Sequence, residues 1–416
     1  LAIYKARPDA KAIVHAHPVY SSALSASKIK IRCDLIAETR AVLGEIACAE
    51  YSLMGSQKLA DIVAEARGQT VTWYMWGGQE NINSWVTGFV ADTQFSHDRG
   101  FYDTNFWCVI TSATPGALIR YTRDGSWPTT NSGTLYTGPI LITNTTTLRA
   151  MAYKSGLLPT DVDTHTYVFV NDVVRQSPAG QAPAAGWPTG SSGAGQIYDY
   201  GMDPDIVNSP VWGATIREDL KSLPSFSIVM SLPDLFDNST GIYANPGGDE
   251  RTWERPCSLE LLHPDGTPGF QINCGVRIRG GYSRSGSNPK HAFRFFFRQE
   301  YGAASLNYPL FGDQGARTFD KIDLRTFQNY CWAFNGDSRM IGLRDQMSRD
   351  LQLAMGQPAE RGNFCHLYLN GQYWGLFNTD ERPEASYGET YFGGRADDYD
   401  TIKVDPDLGH SIEATD

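Results

Sequence analysis

The sequence predicts a multidomain α+β protein: an α/β fragment at the N-terminus, a β-sandwich in the middle and a second α+β domain at the C-terminus. Three observations carry this. The length of 416 residues exceeds what one hydrophobic core usually organises. The composition, with 41 Gly, 22 Pro and 12% aromatic residues, is that of ordered, turn-rich and largely β structure. The texture also changes twice, into a Trp- and Gly-rich stretch after residue 67 and into a Gly-, Ser-, Ala- and Pro-rich stretch near residue 180. A formal net charge of -11 argues against a nucleic acid or an anionic membrane as partner of the whole molecule, and leaves only local basic patches as anion sites. No run of about 18 apolar residues occurs, so no membrane span is expected.

Residues 1–67 read as α/β. Ala12-Ile13-Val14 is a short apolar strand, and Leu59, Ile62, Val63 and Ala66 recur at helical spacing. His15 and His17 alternate on that strand, so both rings project from one face and can share a divalent metal, although such a pair alone is more often structural. The run Ala12-Ile13-Val14-His15-Ala16-His17-Pro18, followed by Glu50-Tyr51-Ser52-Leu53-Met54-Gly55-Ser56, resembles class II (zinc-dependent) aldolases and related epimerases. The resemblance implies a zinc ion on His15 and His17, acting as a Lewis acid on a sugar phosphate. The family's catalytic glutamate upstream of the pair is missing. So is its third histidine, where this chain has Gln69-Thr70-Val71-Thr72-Trp73-Tyr74. The expectation is a truncated fold remnant with an incomplete zinc site, fused upstream of the rest. The chain opens Leu-Ala-Ile-Tyr, with neither Met nor a secretion signal, and residues 68–94 are read as a junction.

Residues 95–170 alternate short β-prone runs with turn signals at Pro115-Gly116, Asp124-Gly125, Gly138-Pro139 and Ser155-Gly156, the spacing of a small β-sandwich. The stretch from Thr111 through Ile119, Tyr121, Asp124-Gly125 and Trp127 to Thr164-His165-Thr166-Tyr167 resembles the C-terminal immunoglobulin-like module of chitobiases and hexosaminidases. That implies an accessory domain. Asp124 is read as a turn residue, and the module as a spacer or a weak carbohydrate contact through Trp127 or Tyr136.

Residues 171–223 have the composition of a linker or long loop, and an α+β region follows over 224–416. Within residues 275–299 stand six cations, Arg277, Arg279, Arg284, Lys290, Arg294 and Arg298, and no acid. Arg277 and Arg279 alternate with Val276 and Ile278, and Phe293, Phe295 and Phe297 alternate with Arg294, Phe296 and Arg298. This predicts two strands, each with an apolar and a largely basic face. The small-residue loop between them lets backbone N–H groups approach phosphate oxygens; a solvated basic hairpin is the equal alternative. Residues 337–355 read as a helix with Met340, Leu343, Met347, Leu351 and Ala354 inward and Gly356 as its stop. The seven cysteines, Cys33, Cys48, Cys108, Cys257, Cys274, Cys331 and Cys365, form no CxxC pair and are expected mostly as buried free thiols.

Five blocks in order carry a further resemblance: Arg277-Ile278-Arg279-Gly280-Gly281-Tyr282-Ser283-Arg284, Pro289-Lys290-His291-Ala292-Phe293-Arg294, Leu343-Arg344-Asp345, His366-Leu367-Tyr368-Leu369-Asn370-Gly371-Gln372-Tyr373-Trp374-Gly375-Leu376 and Glu381-Arg382. They resemble CotH (spore-coat protein H) kinase-like proteins over residues 224–416. The resemblance implies an atypical kinase-like fold that binds ATP with magnesium and phosphorylates secreted or surface proteins, hence an extracytoplasmic or cell-surface address. Lys290 is the candidate phosphate-contacting cation, supported by Arg279 and Arg294. Glu381 is its candidate ion-pair partner, with a surface glutamate beside Arg382 as the alternative reading. The family's catalytic and magnesium-binding aspartates come from a later helical part, and Asp397, Asp398 and Asp400 read as a solvated turn. The leading expectation is thus an incomplete kinase-like protein without turnover. A noncatalytic surface or binding protein is the alternative, and a zinc-dependent aldolase remnant the third.

Overall fold

The computed structural model describes residues 88–191, 195–328, 341–405 and 409–413, and the α/β reading of residues 1–67, with His15 and His17, falls outside them. The compact unit that begins at Phe89 is mostly β, with few helices. Its first part comprises β1 (Thr93–Phe95), β2 (Gly100–Phe101), β3 (Phe106–Cys108), β4 (Ile110–Ser112), β5 (Leu118–Thr122), β6 (Thr134–Leu135), β7 (Ile140–Ile142), β8 (Thr146–Tyr153) and β9 (Asp163–Val168). A five-stranded sheet in the order β2-β9-β8-β5-β6 is accompanied by the pairs β3-β7 and β1-β4. Alternation along the short strands delivers Ile110, Ile119, Ile142, Leu148, Ala150 and Tyr167 to one core. Asp124 does serve the turn: one carboxylate oxygen accepts the Ser126 N–H at 3.0 Å and its hydroxyl at 2.6 Å. Gly125 beside it tolerates no side chain, because a Cβ there would lie 2.4 Å from the Met230 carbonyl oxygen.

The described residues of 171–223, a stretch expected to be a linker or long loop, pack instead of tethering. They carry α1 (Val170–Val173), α2 (Pro204–Val207) and α3 (Ile216–Asp219), and bury Trp187, Tyr200 and Leu220. Gln176 fastens the stretch, accepting the Tyr373 N–H at 2.7 Å and donating to the carbonyls of Tyr200 and Tyr373. Small residues give this stretch a loop's composition while its few aromatics do the packing.

Then follow β10 (Ser225–Val229), α4 (Leu232–Phe236), β11 (Arg255–Leu262), β12 (Phe270–Arg279), β13 (Ala292–Phe296), β14 (Leu306–Asn307), β15 (Thr318–Phe319), β16 (Lys321–Thr326), α5 (Arg344–Ala354), β17 (Gly362–Leu369), β18 (Gln372–Asp380), α6 (Ala385–Phe392), β19 (Thr401–Asp405) and β20 (Gly409–Glu413). Seven of these strands close a barrel in the order β10-β11-β12-β13-β16-β18-β17, with β17 returning parallel to β10. Closure leaves no open edge among them. Val276, Ile278, Phe293, Phe295, Ile322 and Leu324 are buried in its core, while Arg277, Arg279, Arg294 and Asp323 alternate with them.

The barrel and the sandwich meet through a polar seam. Glu260 on β11 is fully buried, accepts the Thr166 N–H at 3.0 Å and pairs with Arg99 at 3.3 Å. Burial pushes its carboxyl pKa up, while Arg99 and the Thr166 and Ser227 hydrogen bonds oppose the shift. Arg149 on β8, also fully buried, donates to the Gly125 carbonyl at 2.7 Å and the Ser258 hydroxyl at 3.1 Å.

The apolar residues of α5 do not face inward: Leu343, Met347 and Leu351 are 58%, 60% and 53% exposed and Ala354 is exposed, whereas Gln346 and Arg349 are buried; Met340 lies outside the described residues. The helix docks on a charged sheet surface, so its polar side faces inward. Arg349 donates to Asp380 at 2.6 Å, Asp345 pairs with Arg325, and Asn378 donates to Gln346 at 3.0 Å. Gly356 ends the helix with φ +74°. Of the cysteines, Cys108, Cys257, Cys274 and Cys365 are free and buried, and Cys33, Cys48 and Cys331 lie outside the described residues.

Candidate functional site

The basic stretch is distributed over β12, the following loop and β13. Its arginines are neutralised where they stand. Arg279 and Arg294 converge on Asp323 of β16, at 3.0 Å and 2.7 Å, and Arg294 holds it with both arms of its guanidinium. Asp323 is 2% exposed and lies opposite Arg294 in the β13–β16 register. Glu254, 7% exposed, collects Arg277 at 3.4 Å and Arg298 at 2.9 Å. Arg284 donates to the Gly247 carbonyl at 3.1 Å and lies 3.9 Å from Asp249.

Lys290 differs from all five. Its ammonium donates to the Asp199 carbonyl and sits 4.0 Å from the centroid of the Trp374 ring. Among the described residues it is the one of these six cations with no carboxylate in ion-pair contact. Burial holds its pKa down to about 8, against a weaker raising influence of Asp199.

The pairing of Lys290 with Glu381 is overturned. Glu381, 4% exposed, accepts the Arg361 N–H at 2.8 Å and the Tyr391 hydroxyl, and pairs with the Arg361 guanidinium at 3.4 Å. Register explains the separation. Phe293, Leu324 and Thr379 form one row across β13, β16 and β18, so β13 and β18 run parallel. Lys290 lies before that row and Glu381 beyond it, about five residues or roughly 16 Å apart along the strands. Glu381 is therefore neither the partner of Lys290 nor a surface residue beside Arg382.

A second group of charges sits where α5 meets the sheet. Asp380 holds Arg349, and Glu360 lies 3.5 Å from the same guanidinium. Burial pushes Asp380 up to about 6 against the pull of Arg349. Burial, then the neighbouring Asp380, pushes Glu360 up to about 7. Because folded Glu360 keeps its proton up to about pH 7 whereas its ordinary value is 4.5, its share of stability is lost as pH rises through that window. Glu360→Gln is expected to match the parent near pH 5 and to exceed its stability by about 2 kcal/mol at pH 8, since the side chain keeps part of its surface in water. Urea unfolding at the two pH values checks this.

Asp397, Asp398 and Asp400 form a solvated turn: Asp398 accepts the Arg395 N–H at 2.8 Å, Asp397 pairs with the Arg395 side chain at 2.6 Å, and all three are exposed. Among the described residues no group of three or more His, Cys, Asp or Glu side chains is placed to hold a metal ion. No helix among them is long and apolar enough to cross a membrane. In the sandwich, the Arg149 guanidinium lies 3.7 Å from the Trp127 ring centroid and the Tyr136 hydroxyl accepts the Ile110 N–H at 3.0 Å, so both aromatics have partners inside the protein. A cleft of about 350 Å³ runs beside Trp127, Asp161 and Tyr301.

Asp323, Glu254 and Asp199 stand around these cations without having been singled out by sequence, and Trp374, named only within a family block, joins them under Lys290. Asp323 alone left a signal, as an acid in the alternating run Lys321-Ile322-Asp323-Leu324-Arg325.

Three stretches match family models. Residues 1–77 match the Class II Aldolase and Adducin N-terminal domain, residues 98–164 the Chitobiase/beta-hexosaminidase C-terminal domain, and residues 276–416 the CotH kinase protein. These are the three families whose resemblance the sequence motifs carried. No curated protein matches the chain.

Proposed function

We propose that the barrel and its appended helices form the nucleotide-binding part of a CotH kinase-like protein, with Lys290 as the cation that meets the phosphates of ATP, and with the sandwich as an accessory module. The observation that carries this is the lone state of Lys290: it stands within the stretch matched by the CotH kinase model, and an incoming phosphate can offer it the charge partner that its neighbours already have. Bound ATP with magnesium would supply the transferable phosphoryl group, destined in this reading for a secreted or surface protein. The chain's own contribution is charge and position. Lys290 contacts a phosphate oxygen, backbone N–H groups of the loop over 280–291 other than those of Arg284, Ser285, Asn288 and His291 are offered to it, and the Asp323 pairs keep Arg279 and Arg294 fixed on the strands that the loop joins. Arg279 and Arg294 are thereby supporting groups held by Asp323.

The same pairing favours a second reading, a noncatalytic surface or binding protein, because five of six cations are already satisfied internally. Isothermal titration with ATP and magnesium separates the two. Lys290→Ala is expected to weaken binding at least about tenfold, near 1.4 kcal/mol. Equal affinity in parent and variant removes Lys290 from the site, and no binding by the folded parent favours the second reading.

A further inference from the structure

Lys290 is half-buried, and the residues that cover one side of it come from far away in sequence. Residues 195–199 cross the loop over 280–291 and fasten it by several contacts. The Ile197 N–H donates to the Gly286 carbonyl at 2.9 Å, and the Gln196 side-chain amide donates to the Asn288 carbonyl at 3.1 Å and the Ile197 carbonyl at 2.7 Å. Gln196 presents its oxygen to His291 Nε2 at 2.7 Å, and the Asp199 carbonyl takes the Lys290 ammonium. The approach is close: a Cβ on Gly286 would lie 3.0 Å from the Gly195 carbonyl group and the Gln196 nitrogen. A phosphate cannot reach Lys290 by the side from which Asp199 approaches while this crossing stays in place.

The joint is also built to open. His291 is buried, with Nδ1 2.7 Å from the Ser283 carbonyl and Nε2 facing the Gln196 oxygen, so both ring nitrogens face acceptors. The amide cannot be turned round to help, because its nitrogen already donates to two carbonyls. A neutral imidazole carries one N–H, so one of the two contacts lacks its proton. On the strap's outer side Ile197 is 46% exposed, and Gly195 at one end has φ +78°. Tyr200, 2% exposed, anchors the other end in the core.

We propose that residues 195–199 are an autoinhibitory strap, which covers Lys290 and must lift from the loop over 280–291 before a polyphosphate can bind. The regulatory role rests on the nucleotide reading of Lys290; the shielding does not. The closing experiment therefore has two readouts. Lysine acetylation followed by peptide mass spectrometry is run without nucleotide on the full chain, and ATP–magnesium affinity is measured on the same samples.

Gln196→Ala is expected to speed acetylation of Lys290 about tenfold relative to Lys221 and to tighten ATP binding by a similar factor. Unchanged Lys290 acetylation in a folded variant overturns the strap, whatever ATP does. Faster acetylation with no ATP binding supports the strap and instead sinks the nucleotide reading. If Gln196→Ala does not fold, hydrogen exchange on the parent decides. The Ile197 amide is expected to exchange at least about a hundredfold faster than the amides of Val276 and Phe295, and exchange only with global unfolding overturns the strap.

Discussion

Replacing Asp323 by Ala is expected to cost about 3–5 kcal/mol in urea unfolding, one of the two largest effects of a single substitution in the barrel. The reason is asymmetry. Asp323 is 2% exposed and is the shared counter-ion of Arg279 and Arg294, so its loss leaves two guanidinium groups facing each other in a poorly hydrated place. Removing all three charges avoids that penalty. Arg279→Met with Arg294→Met and Asp323→Leu is expected to lie within about 1 kcal/mol of the parent, because well-packed apolar groups often replace a buried ionic triad without loss. A cost below about 1 kcal/mol for Asp323→Ala alone would show that the arginines do not depend on it. They would then return to the list of candidate phosphate ligands.

Replacing Trp374 by Ala is expected to cost about 4–5 kcal/mol, at the upper end for loss of a buried aromatic. Trp374 is fully buried, and its ring lies 5.5 Å from Tyr243, 6.0 Å from Tyr200 and 6.3 Å from Trp187, centroid to centroid. Its indole N–H donates to the Tyr243 hydroxyl at 3.0 Å, and that hydroxyl donates onward to the Pro289 carbonyl at 2.8 Å. One side chain thus ties the returning hairpin of β17 and β18 to the stretch over 171–223 and to the end of the basic loop. Trp374→Phe keeps a ring beneath Lys290 and loses the hydrogen bond, so about 1–2 kcal/mol is expected. Equal costs for Ala and Phe would mean that the hydrogen bond, and not the packing, holds this junction.

Much of the organisation was legible in the sequence because it is written in local periodicity. Val276 and Ile278 against Arg277 and Arg279 announced a two-faced strand, and the barrel buries the first pair and keeps the second on its charged face. Asp124-Gly125 announced a turn and stands in one, with Asp124 accepting the Ser126 N–H. Sequence motifs also pointed to the three families whose models match stretches of the chain.

What periodicity could not supply was the identity of the surface each element meets. The spacing of Leu343, Met347 and Leu351 gave the helix an apolar stripe and the usual inference that it faces inward, but the sheet beneath offers Arg325, Asp380 and Asn378, so the opposite face docks. The same limit separated Lys290 from Glu381 and gave Glu381 to Arg361. Strand register sets those distances, and register is a property of the closed barrel rather than of any one segment. Tertiary packing also brought residues 195–199 onto the loop over 280–291. No local pattern relates stretches some ninety residues apart; only the closed chain lays the Asp199 carbonyl against the Lys290 ammonium. Alternation along each strand decided which side chains carry charge, and tertiary structure decided which of those charges are already spent, because ion pairs form through space between strands whose order the sequence does not state.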